Sequence, residues 1–95
     1  MKWHVYILEC NDGSLYTGIT KDLDKRINEH NAGRGAKYTK SRSPVHLRYS
    51  ELAQDRKQAS QREHAIKSLR KSAKIKLITE QRAKKNFDTQ RNNSG

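Results

Sequence analysis

Two short β-favouring segments separated by a turn constrain how the first twenty residues fold. Residues 3–9 and 14–19 are rich in aromatic and β-branched side chains, which is typical of strands. Between them lies Asn11-Asp12-Gly13, a three-residue loop with glycine at its last position. Such a loop suits a type I turn followed by a left-handed residue, so the segment predicts an antiparallel hairpin.

The length of this loop decides which side chains share a face of the hairpin. With three loop residues, Leu8 pairs with Tyr16 and Tyr6 pairs with Gly18, which places both tyrosines on one face as diagonal neighbours. A two-residue loop would place them on opposite faces. We predict the first register, in which Gly18 leaves room above the sheet opposite Tyr6.

The remaining pattern predicts helices and one further strand. The fold class is therefore α+β, a small three-stranded antiparallel sheet flanked by helices in the order ββαβαα. Residues 1–82 form the predicted domain, and residues 83–95 form a polar tail that we expect to be disordered. The predicted elements after the hairpin are a helix over 22–31 capped by Asp22, a basic loop over 33–44, a strand over 45–50, and helices over 55–70 and 73–81. The apolar positions expected to be buried in these helices are Leu23, Ile27, Ala59, Ile66, Leu69, Ile75, Leu77 and Ile78.

The charge of the chain indicates a polyanionic partner. The 95 residues carry 21 Lys plus Arg against 10 Asp plus Glu, a formal charge of +11. Residues 1–19 carry −1, whereas residues 20–50 carry +5 and residues 55–85 carry +8. Solvated helix faces would explain part of this excess, but its size favours a nucleic acid first and an anionic membrane surface second.

Several classes of protein are excluded by what the sequence lacks. Purely apolar stretches are only about four residues long, too short for a transmembrane helix, and the N-terminus does not read as a signal peptide. Cys10 is the single cysteine, which rules out an internal disulfide and a multi-cysteine zinc site, and its acidic neighbours make it a poor nucleophile. We therefore expect a cytoplasmic protein without a membrane partner or a small-molecule cofactor.

One carboxylate stands out among the basic residues. Glu63 is the only acid between Arg56 and Thr79. An intrahelical ion pair with Lys67 at i+4 is the simpler interpretation. The functional alternative is a ligand for Mg²⁺, which often needs one protein carboxylate when substrate phosphate and water complete its coordination.

Four further side chains have both a structural and a chemical interpretation. Arg26 and His30 lie four residues apart on one helix face. In the chemical interpretation, the guanidinium binds a phosphate through two hydrogen bonds and the imidazole positions a water or a leaving group. Their simpler roles are a solvated charge and a partly buried polar contact. Tyr6 and Tyr16 are most simply core strand residues, but a tyrosine near cations can act as a base if its pKa of about 10 is lowered.

These residues, in this order, resemble the GIY-YIG nuclease superfamily, in particular its short single-domain bacterial branch. That branch is similar to the nuclease domain of eukaryotic structure-specific endonuclease subunits. The resemblance covers residues 3 to about 80. Its motifs are His4-Val5-Tyr6, Tyr16-Thr17-Gly18, the helix residues Arg26 and His30, Glu63, and the stretch Asn31-Ala32-Gly33 with Ala36-Lys37-Tyr38-Thr39 and Pro44. His4, Ile19 and Ile75 stand where the family name or some relatives have Gly, Lys and Asn.

The resemblance implies an endonuclease that cleaves phosphodiester bonds in DNA with one Mg²⁺ or Mn²⁺ ion. Glu63 would bind the metal, Arg26 would stabilise the scissile phosphate, and His30 would be accessory. One tyrosine would help to deprotonate the attacking water while the other aligns it, with the assignment left open. Substrate choice would follow DNA structure rather than sequence, or depend on a targeting protein. The residues expected to bind nucleic acid are Lys21, Arg34, Lys37, Tyr38, Lys40, Arg42, Arg62 and Lys67. The alternative is a non-catalytic DNA- or RNA-binding protein that keeps this fold.

Overall fold

A computed structural model of the chain describes residues 2–94, with side chains described as far as Lys84. It confirms the α+β class and the three-stranded antiparallel sheet, and it adds one short helix to the predicted order. The elements are β1 (Trp3–Glu9), β2 (Leu15–Thr20), α1 (Leu23–Asn31), α2 (Lys37–Lys40), β3 (His46–Ala53), α3 (Arg56–Lys67) and α4 (Lys71–Ser94).

The hairpin has the register expected from a three-residue loop. Tyr6 pairs with Gly18 and Leu8 with Tyr16, as predicted. The loop closes through Gly13 N–H to the Cys10 carbonyl at 2.9 Å and Cys10 N–H to the Ser14 carbonyl at 2.8 Å, and Gly13 adopts φ of +83°. This left-handed conformation costs glycine little, which explains why this residue ends the loop.

The sheet order β2-β1-β3 buries the central strand β1 on both faces. One face of β1 packs against α3 and α4, and the opposite face packs against α1. The first core comprises Val5, Ile7, Tyr49, Ala59, Ile66 and Ile78. The second comprises Tyr6, Leu8, Cys10 and Val45, with Tyr16, Leu23 and Ile27 packed against it. The two tyrosines therefore lie on the α1 face.

Two of the predicted core positions are wrong. Leu69 is 38% exposed because α3 ends at Lys67 and leaves this residue in the turn before α4. Ile75 is 46% exposed because α4 directs Leu77 and Ile78 toward the sheet instead.

Helix boundaries follow local capping. Asp22 and Asp55 cap α1 and α3 by accepting from the backbone N–H groups of Lys25 and Gln58, at 3.1 and 2.8 Å. The last helix runs on to Ser94, whereas the sequence predicts a polar tail without regular structure over 83–95. No proline or glycine interrupts this stretch before Gly95, which lies outside the described residues. Among the described helices, none is long and apolar enough to cross a membrane.

Candidate active site

Tyr6 and Tyr16 meet on the α1 face of the hairpin with their ring centroids 6.4 Å apart. Tyr6 is 1% exposed, whereas Tyr16 on the edge strand β2 is half-buried. Gly18 makes this arrangement possible. A Cβ at Gly18 would lie 2.5 Å from the Tyr6 hydroxyl oxygen and 3.1 Å from Tyr16 Cε2.

His30 joins the tyrosines from α1 and is completely buried. Its Nε2 lies 2.9 Å from the Tyr6 hydroxyl, and its Nδ1 lies 2.7 Å from Thr39 Oγ1. Thr39 Oγ1 also lies 2.9 Å from the Ala36 carbonyl, which can only accept. The backbone N–H of Ala36 also lies 3.4 Å from Nδ1, so the direction of the bonds to Tyr6 and Thr39 depends on which ring nitrogen of His30 carries the proton. Burial, followed by the positive charge of Arg26, lowers the pKa of His30 and so favours the neutral imidazole.

The environment of Tyr6 keeps its phenol protonated. Burial raises the pKa of Tyr6 to about 12, with Tyr16 and Glu63 adding to the rise and Arg26 opposing it. Arg26 on α1 is a hydrogen-bond partner of this hydroxyl, whereas Glu63 on α3 exerts only the smallest of the electrostatic effects on it. The structure thus brings Tyr6, Tyr16 and Arg26 together, while Glu63 lies on α3, which packs against β1 and β2.

Arg26 lies one helical turn before His30 and is partly buried. Its Nη1 is 3.3 Å from Glu29 Oε1, in an ion pair whose side chains are each 32% exposed. Burial acts to lower the pKa of Arg26, but hydrogen bonds with Tyr6 and Glu29 outweigh it and raise the pKa overall. A guanidinium held next to a phenol and open on one side can bind an incoming phosphate oxygen.

Glu63 forms an ion pair with Lys67, as the i,i+4 spacing of the two residues on α3 predicts. Its Oε2 lies 3.5 Å from Lys67 Nζ, and its side chain is 23% exposed. Within the described residues no group of three or more His, Cys, Asp or Glu side chains could hold a metal. A metal at this site would therefore be held by at most two such side chains of the described residues, and Glu63 together with phosphate and water would suit a hard cation.

The helix α2, which the sequence did not predict, covers Tyr16. The ring of Tyr38 stacks on that of Tyr16, with centroids 5.9 Å apart and planes 23° apart. The Arg42 guanidinium lies 4.1 Å from the centre of the Tyr38 ring, and its Nε is 3.0 Å from Asp12 Oδ2. Two residues expected to bind nucleic acid, Tyr38 and Arg42, thus form a strap between α2 and the hairpin turn.

Thr39 and Gly35 are functional candidates that the sequence analysis did not identify. Thr39 holds His30, and a Cβ at Gly35 would overlap the His30 ring, lying 2.7 Å from its Cγ. The only available signal was the stretch around Tyr38 that carries the resemblance, because a four-residue helix has no amphipathic period to detect.

The other predicted nucleic-acid contacts are spread over several surfaces. Arg34, Lys37 and Lys40 are exposed on the segment between α1 and β3. Lys21 lies 5.5 Å above the Trp3 ring. Arg62 is not brought to the tyrosines, because its Nε binds Glu51 Oε1 at 2.8 Å on β3, at the sheet edge opposite β2.

Cys10 is buried, and burial raises the pKa of its thiol, with a hydrogen bond from Ser14 acting in the opposite sense. A raised pKa opposes formation of the thiolate, which is the nucleophilic form. This agrees with the sequence-based interpretation of Cys10 as a poor nucleophile.

Comparisons with known proteins agree on one family. The family model described as the GIY-YIG catalytic domain matches residues 2–76. A UPF0213 protein of Staphylococcus saprophyticus is 52% identical over 79 residues, which cover 83% of this chain and 96% of that protein. A UPF0213 protein of Staphylococcus aureus is 51% identical over 76 residues, which cover 80% of this chain and 93% of that protein.

Two solved structures resemble the fold described above. The solution NMR structure of a UPF0213 protein from Bacillus halodurans has a TM-score of 0.54 at 43% identity and covers 83% of this chain and 84% of that one. The solution NMR structure of the protein EF2693 from E. faecalis has a TM-score of 0.56 at 38% identity and covers 83% of this chain and 85% of that one.

Proposed function

Because this chain belongs to the GIY-YIG catalytic domain family, we propose that it is an endonuclease that hydrolyses phosphodiester bonds in DNA with the help of a divalent metal ion. The observation that supports this most strongly is the meeting of the two tyrosines with Arg26 beside them, with Glu63 on the helix α3 that packs against the same hairpin. Tyr6 and Tyr16 share a face at 6.4 Å, and both Arg26 and Glu63 influence the ionisation of Tyr6.

The two tyrosines take different roles in this proposal. A phenol with a pKa of about 12 is a poor base near neutral pH, so Tyr6 serves as the hydrogen-bond partner that holds His30 in place. Tyr16 lies on the edge strand β2 and is only half-buried, although Tyr38 of α2 stacks on its ring. We therefore assign to Tyr16 the contact with the attacking water.

Arg26 is assigned to the scissile phosphate. Its guanidinium lies beside the Tyr6 hydroxyl and is about one-third exposed, so a phosphate oxygen can reach it without displacing the helix. Negative charge accumulates on the phosphate oxygens in the transition state, and a fixed cation there stabilises that charge. A phosphate that takes the place of Glu29 as the partner of Arg26 breaks an ion pair at little cost in free energy, because exposed ion pairs contribute about 0–1 kcal/mol.

Glu63 is the residue assigned to hold one Mg²⁺ or Mn²⁺ ion. A single, partly exposed carboxylate fits this ion when phosphate and water complete its coordination. Such an ion would supply a Lewis acid to the scissile phosphate. Lys67 would then be released from Glu63 to face the phosphate backbone.

DNA structure, rather than its sequence, is the proposed basis of substrate choice. The exposed cations Arg34, Lys37 and Lys40 are suited to phosphate contacts, which position a protein on DNA without specifying bases. Binding is expected to weaken steeply as the salt concentration rises.

The test is cleavage of linear, nicked and branched DNA in the presence of Mg²⁺ or Mn²⁺, by the unmodified protein and by Glu63→Ala and Arg26→Ala variants. We expect cleavage by the unmodified protein, loss of cleavage in both variants, and DNA binding retained in Glu63→Ala. Equal residual nicking by all three proteins would contradict the proposal.

A second candidate is a DNA- or RNA-binding protein without catalytic activity. The specific observation in its favour is the Glu63–Lys67 ion pair at 3.5 Å, which satisfies the carboxylate without a metal. This candidate predicts tight binding with no cleavage of any substrate. It also predicts that Mg²⁺ changes the DNA affinity of the unmodified protein no more than it changes the DNA affinity of Glu63→Ala.

A further inference from the structure

A cleft opens along the free edge of β2, beside the tyrosines. It encloses about 270 Å³ and lies between α2 on one side and the α3–α4 pair on the other. Its lining residues are Leu15, Tyr16, Thr17, Tyr38, Lys67 and Lys74. Neither Thr17 nor Lys74 belongs to the site described above.

The charge of this cleft is entirely positive. Lys67 and Lys74 come from two different helices and converge on it, and none of the described residues that line it is acidic. Lys67 is also the ion-pair partner of Glu63, so the cleft begins one helical turn from the residue assigned to the metal. An anion placed here would lie next to the scissile phosphate.

Thr17 supplies an independent sign of a missing partner. Its residue is 3% exposed, and its Oγ1 is the one buried side-chain oxygen or nitrogen without a hydrogen-bond partner in the described part of the chain. Leaving a buried hydroxyl unpaired is costly, and a valine of the same shape would avoid the cost. Thr17 lines the cleft that holds the two lysines, so a ligand seated there lies next to the residue whose hydroxyl lacks a partner.

We infer that this cleft is a phosphate subsite in which Lys74, Lys67 and the Thr17 hydroxyl bind a backbone phosphate of the DNA. This phosphate is the neighbour of the scissile phosphate. The subsite rests on the proposed function, because its ligand is part of the same DNA. It assigns substrate-binding roles to Thr17 and Lys74, and it explains why a hydroxyl is retained in the interior of an edge strand. The volume of the cleft, about 270 Å³, is just below that of pockets for drug-sized ligands, about 300–1,000 Å³.

The test is binding of a nicked DNA duplex in EDTA, which prevents cleavage, over a range of salt concentrations. Lys74→Gln is compared with Lys76→Gln, an exposed lysine of α4 that does not line the cleft. We expect Lys74→Gln to weaken binding about threefold or more and to reduce the slope of log K against log salt by about 1. Lys76→Gln should leave the slope closer to that of the unmodified protein.

Thr17→Val separates the subsite from a merely structural role. Removal of an unpaired buried hydroxyl should raise Tm by about 4–8 °C, since this corresponds to about 1 kcal/mol in a domain of this size. The same variant should bind DNA more weakly, whereas Thr17→Ser, which keeps the hydroxyl, should bind like the unmodified protein. The measurement of Tm also shows that each variant is folded.

The outcomes distinguish failure of the subsite from failure of the proposed function. If the unmodified protein binds DNA but Thr17→Val or Lys74→Gln binds as tightly as it does, the subsite is overturned and the proposed function stands. If the unmodified protein binds no DNA, both are overturned. A second experiment uses inorganic phosphate as a competitor for DNA at constant ionic strength. Displacement of DNA by phosphate from the unmodified protein but not from Lys74→Gln supports the subsite, and equal displacement from both proteins argues against it.

Discussion

Replacing Gly18 by alanine is expected to disrupt the site through a steric overlap that can be calculated from the coordinates. The new Cβ would lie 2.5 Å from the Tyr6 hydroxyl oxygen, 2.6 Å from Tyr6 Cζ and 3.1 Å from Tyr16 Cε2. Tyr6 is 1% exposed and has no free space into which to move. The ring must therefore shift within the core, or β2 must separate from β1.

The expected cost combines overpacking with a lost hydrogen bond. Overpacking of a core costs about 1–3 kcal/mol, and loss of the 2.9 Å bond between Tyr6 and His30 costs about 1 kcal/mol more. The sum of about 2–4 kcal/mol corresponds to a fall in Tm on the order of 10–20 °C for a domain of this size. Since a misplacement of about 1 Å can reduce a rate about a hundredfold, cleavage should fall even at temperatures where the variant is folded.

Thermal unfolding and single-turnover cleavage of Gly18→Ala are compared with those of Gly13→Ala. Gly13 also requires a special conformation, with φ of +83°, but a Cβ there would meet nothing within 4 Å in the described part of the chain. Gly13→Ala should therefore lower stability by about 1–2 kcal/mol through backbone strain alone and keep its cleavage rate when folded. A Gly18→Ala variant that matches Gly13→Ala in both measurements would refute the reasoning.

Three other predictions follow from the contacts of single side chains. Because the pKa of Tyr6 is raised to about 12 in the folded protein, the phenol of the unfolded chain ionises first as the pH passes about 10, and the free energy of unfolding should fall by about 2–3 kcal/mol between pH 10 and pH 12. Urea unfolding of Tyr6→Phe should lack this part of the decline, and an identical decline in the variant would contradict the assignment. Arg42→Ala removes the cation above Tyr38 and should lower kcat, whereas Arg34→Ala removes an exposed cation and should raise KM. Steady-state kinetics measures both constants, and the reverse pattern would disprove the prediction. Asp22→Ala removes the N-cap of α1 and should cost about 1 kcal/mol in thermal unfolding, and an unchanged Tm would show that the cap contributes nothing.

The hairpin and its register were predictable from sequence because short-range rules determine them. The loop of three residues ending in Gly13 permits one pairing, and that pairing places Tyr6 opposite Gly18. The cap Asp22 was equally visible, since a side-chain oxygen three residues before a backbone N–H is a local feature.

The role of the basic loop was not predictable, because composition does not show which charges are already engaged. Tyr38 and Arg42 are assigned by sequence to nucleic acid, yet the structure stacks one on Tyr16 and binds the other to Asp12, 30 residues away. Arg62 likewise binds Glu51 on β3. Such pairings depend on tertiary contacts between distant segments, and only the fold supplies them.

The exposure of Ile75 and the unpaired hydroxyl of Thr17 also required the structure. A helical period identifies an apolar stripe but not how far round the helix the sheet reaches, so Ile75 was expected to be buried and is 46% exposed. Nothing in the sequence distinguishes Thr17 from a threonine that is paired in the core.

The central claim is that one site, assembled around Tyr6 and completed by Glu63, hydrolyses DNA with a divalent metal ion. The most direct test is the single-turnover cleavage rate of a nicked or branched duplex by Glu63→Gln and by Glu80→Gln, an exposed carboxylate of α4 used as the matched control. We predict that Glu63→Gln loses at least about a hundredfold in rate at every Mg²⁺ concentration, since metal stabilisation of the transition state contributes several kcal/mol. Glu80→Gln should retain the unmodified rate. Cleavage by Glu63→Gln at the rate of Glu80→Gln would contradict the account.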